Sequence, residues 1–171
     1  GLSLINNNIN RILEIGTFNA QNAFLLSVLF DKAQVITVDL PSNSNDFINS
    51  YKRADANNLE NFLNERNLRI SKRANLSIIE KSSVNLINFE ETFDLIWIDG
   101  AHFDPVVTMD LINSLNLLSD KGLILCDDIR KSKKNATWQS INILKKENII
   151  DFSLILKWLD PEHNANPNFR S

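Results

Sequence analysis

Three short apolar runs, each bounded by a glycine, constrain this chain more than any other feature. Arg11-Ile-Leu-Glu-Ile ends at Gly16, Phe93-Asp-Leu-Ile-Trp-Ile-Asp ends at Gly100, and Gly122 opens Leu-Ile-Leu-Cys-Asp-Asp. A run that is apolar at successive positions suits a strand buried on both faces, which is the condition of a parallel sheet. The second run ends in Asp99 and the third in Asp127 and Asp128. Ligands of open α/β sheets bind beyond the C-terminal ends of the strands. Acidic groups from separate strands therefore converge on one crevice, and the chain reads as an enzyme.

Composition narrows the class. With 171 residues, 43% hydrophobic and 23% charged, the chain suits one globular domain over 1–171, with 160–171 as a loop or tail. The net charge is −3, and the basic residues are scattered except at Arg130, Lys131, Lys133 and Lys134. That group reads as a solvated loop, so a nucleic-acid partner is not expected. The single cysteine, Cys126, leaves no internal disulfide and suits the cytoplasm. Its place inside an apolar strand makes it an inert core thiol. No stretch approaches the roughly 18 apolar residues of a membrane span, and no signal peptide precedes the first strand.

Strands and helices alternate along the chain. Strands are expected at 11–15, 34–39, 75–80, 93–99 and 122–126, with a sixth near 151–157. Helices are expected at 20–30, once or twice within 45–67, at 106–118 behind an Asp104 cap and Pro105, and at 135–147. This order gives the α/β class: a doubly wound, mostly parallel sheet in three layers, α/β/α.

The first strand-to-helix turn is Glu14-Ile-Gly16-Thr-Phe-Asn-Ala20. A glycine there lets a ligand approach the backbone, but the later glycines of the dinucleotide fingerprint are missing, which weakens a dehydrogenase reading. Asp39 ends the second strand. An acid at that place can accept both hydroxyls of a ribose; it can equally cap the turn before Pro41.

Three blocks carry a family resemblance. Leu13-Glu-Ile-Gly-Thr-Phe18 followed by Val-Asp39, then Phe93 to His102, then Leu-Ser-Asp-Lys-Gly122 to Asp128 resemble the class I S-adenosylmethionine-dependent methyltransferases. The nearer likeness is to metal-dependent O-methyltransferases of small molecules, of the catechol and antibiotic-sugar types. The resemblance implies the Rossmann-like methyltransferase fold and S-adenosylmethionine as cofactor. It sets Gly16 and Phe18 beside the methionine portion, Asp39 on the ribose and Ser82 or Ser83 near the adenine. Glu14, Thr17, Asn22, Leu40 and Asp99 complete the expected cofactor site. Asp99, Asp127 and Asp128 are implied as ligands of a divalent cation, and His102 as the catalytic base, with Asp99 beside it. Ala20 stands where the family has a second turn glycine and would crowd the closest backbone approach, and Asn22 replaces a small hydroxyl residue.

The cation has a physical rationale as well. Three carboxylates at adjoining strand ends repel, and oxygen ligands with open positions suit Mg²⁺, Mn²⁺ or Ca²⁺; the alternative is that Asp127 and Asp128 only cap a loop, with one of them facing solvent. His102 lies three residues after Asp99, and an imidazole titrating near about 6.5 can take a proton from a hydroxyl. A structural role as a helix cap is the alternative for it. Trp97 reads as core, Trp138 and Trp158 as core or pocket lining, and His163 as solvated. The expected function is O-methylation of a hydroxyl on a sugar, phenol or secondary metabolite. The motif that binds exocyclic amines in nucleic-acid N-methyltransferases is absent, since Asp-Gly-Ala-His takes its place. An inactive cofactor-binding domain serving as a partner subunit is the alternative. The short segment before the first strand leaves apolar surface that would favour a homodimer.

Overall fold

The computed structural model describes residues 9–50 and 53–155. Five strands form one sheet: β1 (Arg11–Ile15), β2 (Gln34–Asp39), β3 (Leu76–Glu80), β4 (Phe93–Ile98) and β5 (Leu118–Cys126). All pair in parallel, in the order β3-β2-β1-β4-β5. The helices are α1 (Gln21–Leu29), α2 (Asn45–Asn49), α3 (Ala56–Ser71), α4 (Val106–Leu117) and α5 (Ala136–Lys146), with a 3₁₀ helix over Ser83–Asn88. Expected and observed elements agree for β1 to β4 to within a residue or so.

Why the runs are apolar throughout follows from the register. Ile12 faces Val35 on one neighbour and Leu95 on the other, while Leu13 faces Ile36 and Ile96. Successive side chains point to opposite faces, yet both sets are buried. The first set packs with Ala23 and Leu26 of α1. The second needs its own cover, which is the three-layer condition. β1, β2 and β3 proceed toward one edge and β4 and β5 toward the other, so the chain reverses direction between β1 and β4. Such a switch point opens a crevice at the strand ends.

Several expectations are corrected. β5 begins at Leu118 rather than 122, because Leu118 pairs with Phe93 before a bulge that resumes at Leu123 opposite Leu95. Gly122 sits inside that irregularity, where a Cβ would lie 2.6 Å from Leu118 Cδ1, so it shapes the bulge and does not open the strand. The cap of α4 is Pro105 itself, and Asp104 instead accepts the Thr108 hydroxyl at 2.5 Å. Residues 151–155 carry no strand. The rest of that expected strand, with Trp158, His163 and the tail at 160–171, lies outside the described residues.

The chain divides into two compact units, Gly1–Ser140 and Ile141–Ser171. The first holds the whole sheet. The second holds the end of α5 and an ion pair between Lys145 Nζ and Asp151 Oδ1 at 2.9 Å. Among the described residues no helix is long and apolar enough to cross a membrane.

Candidate active site

The strand ends remain hydrogen-bonded to the last residue. Gly16 N–H donates to Val38, Asp99 N–H to Ile15 and Asp127 N–H to Ile98, each at 2.9 Å. This zipping aligns Gly16, Asp99 and Asp127 along the C-terminal edge of the sheet, at the switch point. Gly16 has φ +97, and a Cβ on it would lie 2.3 Å from the Asp99 carbonyl oxygen. Only glycine fits there. Phe18 (φ 45) and Ala20 (φ 61) also adopt left-handed backbone, so the Gly16–Ala20 turn concentrates strain of about 1–2 kcal/mol per non-glycine residue. Ala20 is fully buried as the cap of α1 and does not line the cleft, so it does not crowd a ligand as expected.

A cleft of about 320 Å³ opens at this turn, lined by Glu14, Gly16, Thr17, Phe18, Asn22 and Asp99, and also by Asn19, Gln21 and Leu25. The first six were legible in the sequence; Asn19 follows from the turn itself, and Gln21 and Leu25 from the first turns of α1 facing the same opening. Glu14 forms the floor and is 1% exposed. Its carboxylate accepts the Thr37 hydroxyl at 2.5 Å and Asn22 Nδ2 at 2.8 Å, and Thr37 also bonds Thr17 at 2.6 Å. Burial nevertheless dominates and raises its pKa from 4.5 to about 7.

That shift has a stability consequence. The folded chain holds a proton on Glu14 that the unfolded chain releases, so this contribution is complete below about pH 4.5 and is lost as pH rises through about 7. At about 1.4 kcal/mol per pKa unit, Glu14→Gln should stabilise the protein by up to about 3 kcal/mol at pH 8 and by almost nothing at pH 4. Urea unfolding of both proteins at the two pH values checks this. An equal difference at both would mean that Glu14 is not the titrating group.

Asp39 is placed by the same turn. Its Oδ2 accepts the Phe18 N–H at 3.0 Å and its Oδ1 the Leu40 N–H at 2.8 Å. Burial pushes its pKa up, opposed by those two amides and by Arg53 and Arg66. Both arginines are buried. Arg53 lies 3.8 Å over the Phe47 ring, and Arg66 donates to Glu80 at 2.6 Å. Ser83 opens the 3₁₀ helix, and its carbonyl receives Asn113 Nδ2 at 3.0 Å. Ser82, Ser83, Asp39 and Leu40 stand outside the cleft lining.

At the tips of β4 and β5, His102 Nε2 lies 3.8 Å from Asp99 Oδ1 and 3.7 Å from Asp128 Oδ2. The cation centre expected at Asp99, Asp127 and Asp128 is not shown. Asp127 Oδ1 accepts the Asp128 N–H at 2.6 Å, and Asp128 leaves the extended path with φ 52. Among the described residues no group of three His, Cys, Asp or Glu side chains is arranged to hold a metal ion. The His102 imidazole thus stands close to both the Asp99 and the Asp128 carboxylates. Beneath the same loop Asp110 is fully buried; burial raises its pKa to about 6, opposed by a hydrogen bond from the Ser83 side chain. No sequence signal marks it, because a charged residue on a helix is normally assigned to the solvent side. Cys126 is half-buried, and burial raises its thiol to about 12, in keeping with an inert side chain.

No curated protein sequence matches the chain significantly. Its fold is similar to that of a Staphylococcus aureus protein assigned as a caffeoyl-CoA O-methyltransferase (18% identity, TM-score 0.56, 86% of this chain and 69% of that one). It is also similar to the precorrin-6y C5,15-methyltransferase of Geobacter metallireducens GS-15 (13%, 0.52, 80% and 61%). A third likeness is to the StiE O-MT segment 961–1257 (16%, 0.54, 86% and 50%). At these identities the likeness is one of fold. The sequence itself matches the methyltransferase-domain family model over residues 13–129, which spans the glycine turn, the Asp99 and Asp127 strand ends and the loop that carries His102. The chain therefore belongs to the methyltransferase-domain family, as a class I S-adenosylmethionine-dependent methyltransferase.

Proposed function

We propose that the chain methylates a hydroxyl oxygen of a small-molecule acceptor, with His102 as general base. The observation that carries this reading is the imidazole poised between Asp99 Oδ1 and Asp128 Oδ2, at 3.8 and 3.7 Å, with Asp99 also lining the cleft.

The cleft suits the cofactor: the glycine turn leaves no side chain at Gly16, and a buried carboxylate lies at its floor. Bound there, S-adenosylmethionine supplies a methyl group made electrophilic by its sulfonium. Gly16 and Phe18 would border its methionine portion, with Glu14 beneath as a counter-charge. Each Asp39 oxygen already accepts one amide and retains lone pairs for the ribose hydroxyls. Ser82 and Ser83 would reach the adenine.

His102 then takes the acceptor hydroxyl's proton as the oxygen forms its new bond to carbon. The positive charge that develops on the ring faces two carboxylates, and the proton passes from the exposed ring to water. Holding the acceptor oxygen in line accounts for most of the remaining rate enhancement. This reading does not call on a divalent cation. It is tested by methyl transfer from labelled S-adenosylmethionine to hydroxylated acceptors, wild type against His102→Ala. Turnover that His102→Ala leaves intact would overturn the base assignment.

A further inference from the structure

We infer that the acceptor carries an anionic group, a carboxylate or phosphate, recognised by the basic loop that follows β5; this rests on the proposed methyl transfer at His102. Arg130, Lys131, Lys133 and Lys134 place four cations in five positions of a chain whose net charge is −3, and no acidic residue occurs from Ile129 to Lys146. Read as sequence alone, this is a solvated loop. The structure ties it to the reacting centre.

Asp128, whose carboxylate lies 3.7 Å from His102, turns the chain sharply with φ 52. Its carbonyl receives Asn135 Nδ2 at 3.1 Å, which closes residues 128–135 into a loop anchored at the site. The loop is held from within as well. Ser132 N–H donates to Arg130 O at 2.7 Å, Asn135 N–H to Ser132 O at 3.1 Å, and Lys134 N–H to Ser132 Oγ at 3.2 Å. Gln139 secures the Lys133 carbonyl. A loop held in this way loses little backbone freedom on binding an anion.

The side chains remain available. Lys131, Lys133 and Lys134 are exposed, and none forms an ion pair among the described residues. Asn135 Oδ1 caps α5 by accepting the Trp138 N–H at 2.8 Å, so the positive end of that helix adds to the same field. The carboxylates of Asp99 and Asp128 repel an anion at the base itself. A positive loop one turn away draws the anionic end of the acceptor to one side and leaves its hydroxyl toward His102.

The test is a binding titration of the protein loaded with S-adenosylhomocysteine, with neutral and anionic probes matched in pairs: catechol against protocatechuate, and glycerol against glycerol phosphate. At least one anionic member should bind about tenfold more tightly than its neutral partner, with the preference shrinking as salt is added. The pair that responds identifies the carboxylate or the phosphate as the group recognised. In the triple variant Lys131→Gln, Lys133→Gln, Lys134→Gln the preference should vanish while S-adenosylhomocysteine binds as in the wild type. Equal binding within both pairs, or a preference that survives in the triple variant, overturns the inference. Tighter binding of a short oligonucleotide than of either anionic probe overturns it in favour of nucleic acid. Failure of S-adenosylhomocysteine to bind is read separately, as failure of the cofactor reading.

Discussion

His102→Ala should lower kcat for methyl transfer by about 10²- to 10⁴-fold, the usual contribution of a positioned acid–base group. S-adenosylhomocysteine affinity should hardly change, because His102 is absent from the cleft lining that includes Glu14, Gly16 and Asp99. The split matters more than the size of the loss. A ring that merely supported the loop would disturb cofactor binding too, since Asp99 on the same loop lines the cleft. Asp128→Ala removes one of the two carboxylates facing the ring, at 3.7 Å, and leaves Asp99 at 3.8 Å. Its effect should therefore be smaller, on the order of tenfold. Single-turnover transfer of a labelled methyl group, at saturating cofactor, measures both variants. A rate within twofold of wild type in His102→Ala would assign the proton to another group.

Gly16→Ala should be among the most destabilising single substitutions in the chain, costing about 4 kcal/mol or more. Two independent penalties coincide there. The backbone stands at φ +97, and the new methyl would lie 2.3 Å from the Asp99 carbonyl oxygen and 2.7 Å from Gly100 Cα. Both neighbours are backbone atoms of an adjoining strand end, so neither can rotate aside. Relief would require β1 and β4 to separate at the crevice. Against a total stability of typically about 5–15 kcal/mol, such a loss would deplete soluble protein. Gly100→Ala is the control, since its methyl would meet Ile15 Cγ2 at 3.4 Å and Asp110 Oδ2 at 3.5 Å, which are ordinary contacts. It should cost about 1 kcal/mol or less. Urea midpoints of the two variants give the comparison, and equal midpoints would contradict the close-approach argument.

The parts of this fold legible in the sequence are those where one physical requirement acts alone. Ile12, Leu13, Ile36 and Ile96 lie in strands buried on both faces, so apolar runs mark β1 to β4 nearly to the residue. Leu118 to Lys121 carry no such pattern, because that stretch pairs only through Phe93 ahead of the Gly122 bulge. The cleft was legible at Gly16 and Phe18, where backbone approach demands a special turn. It was not legible at Gln21 and Leu25, which reach the opening through the geometry of α1. Polar residues inside apolar elements were the main blind spot. Thr37, Asp110, Asn113 and Ser114 are all buried, and composition assigns such residues to solvent until their neighbours are known. The cation centre expected at Asp99, Asp127 and Asp128 is not shown among the described residues. Proximity in sequence between Asp127 and Asp128 says nothing of side-chain direction, and the backbone at Asp128 turns out of the extended path with φ 52.

The most direct test of the account is calorimetric titration of S-adenosylhomocysteine into the wild-type protein and into Asp39→Ala. The account predicts saturable micromolar binding, tightening as pH rises through about 7 because Glu14 ionises there and then faces the ligand's ammonium group. Loss of the two proposed ribose contacts in Asp39→Ala should weaken binding by roughly 10- to 100-fold. No binding by a wild-type sample that unfolds cooperatively in urea would contradict the assignment of the cleft at Gly16 as the cofactor site.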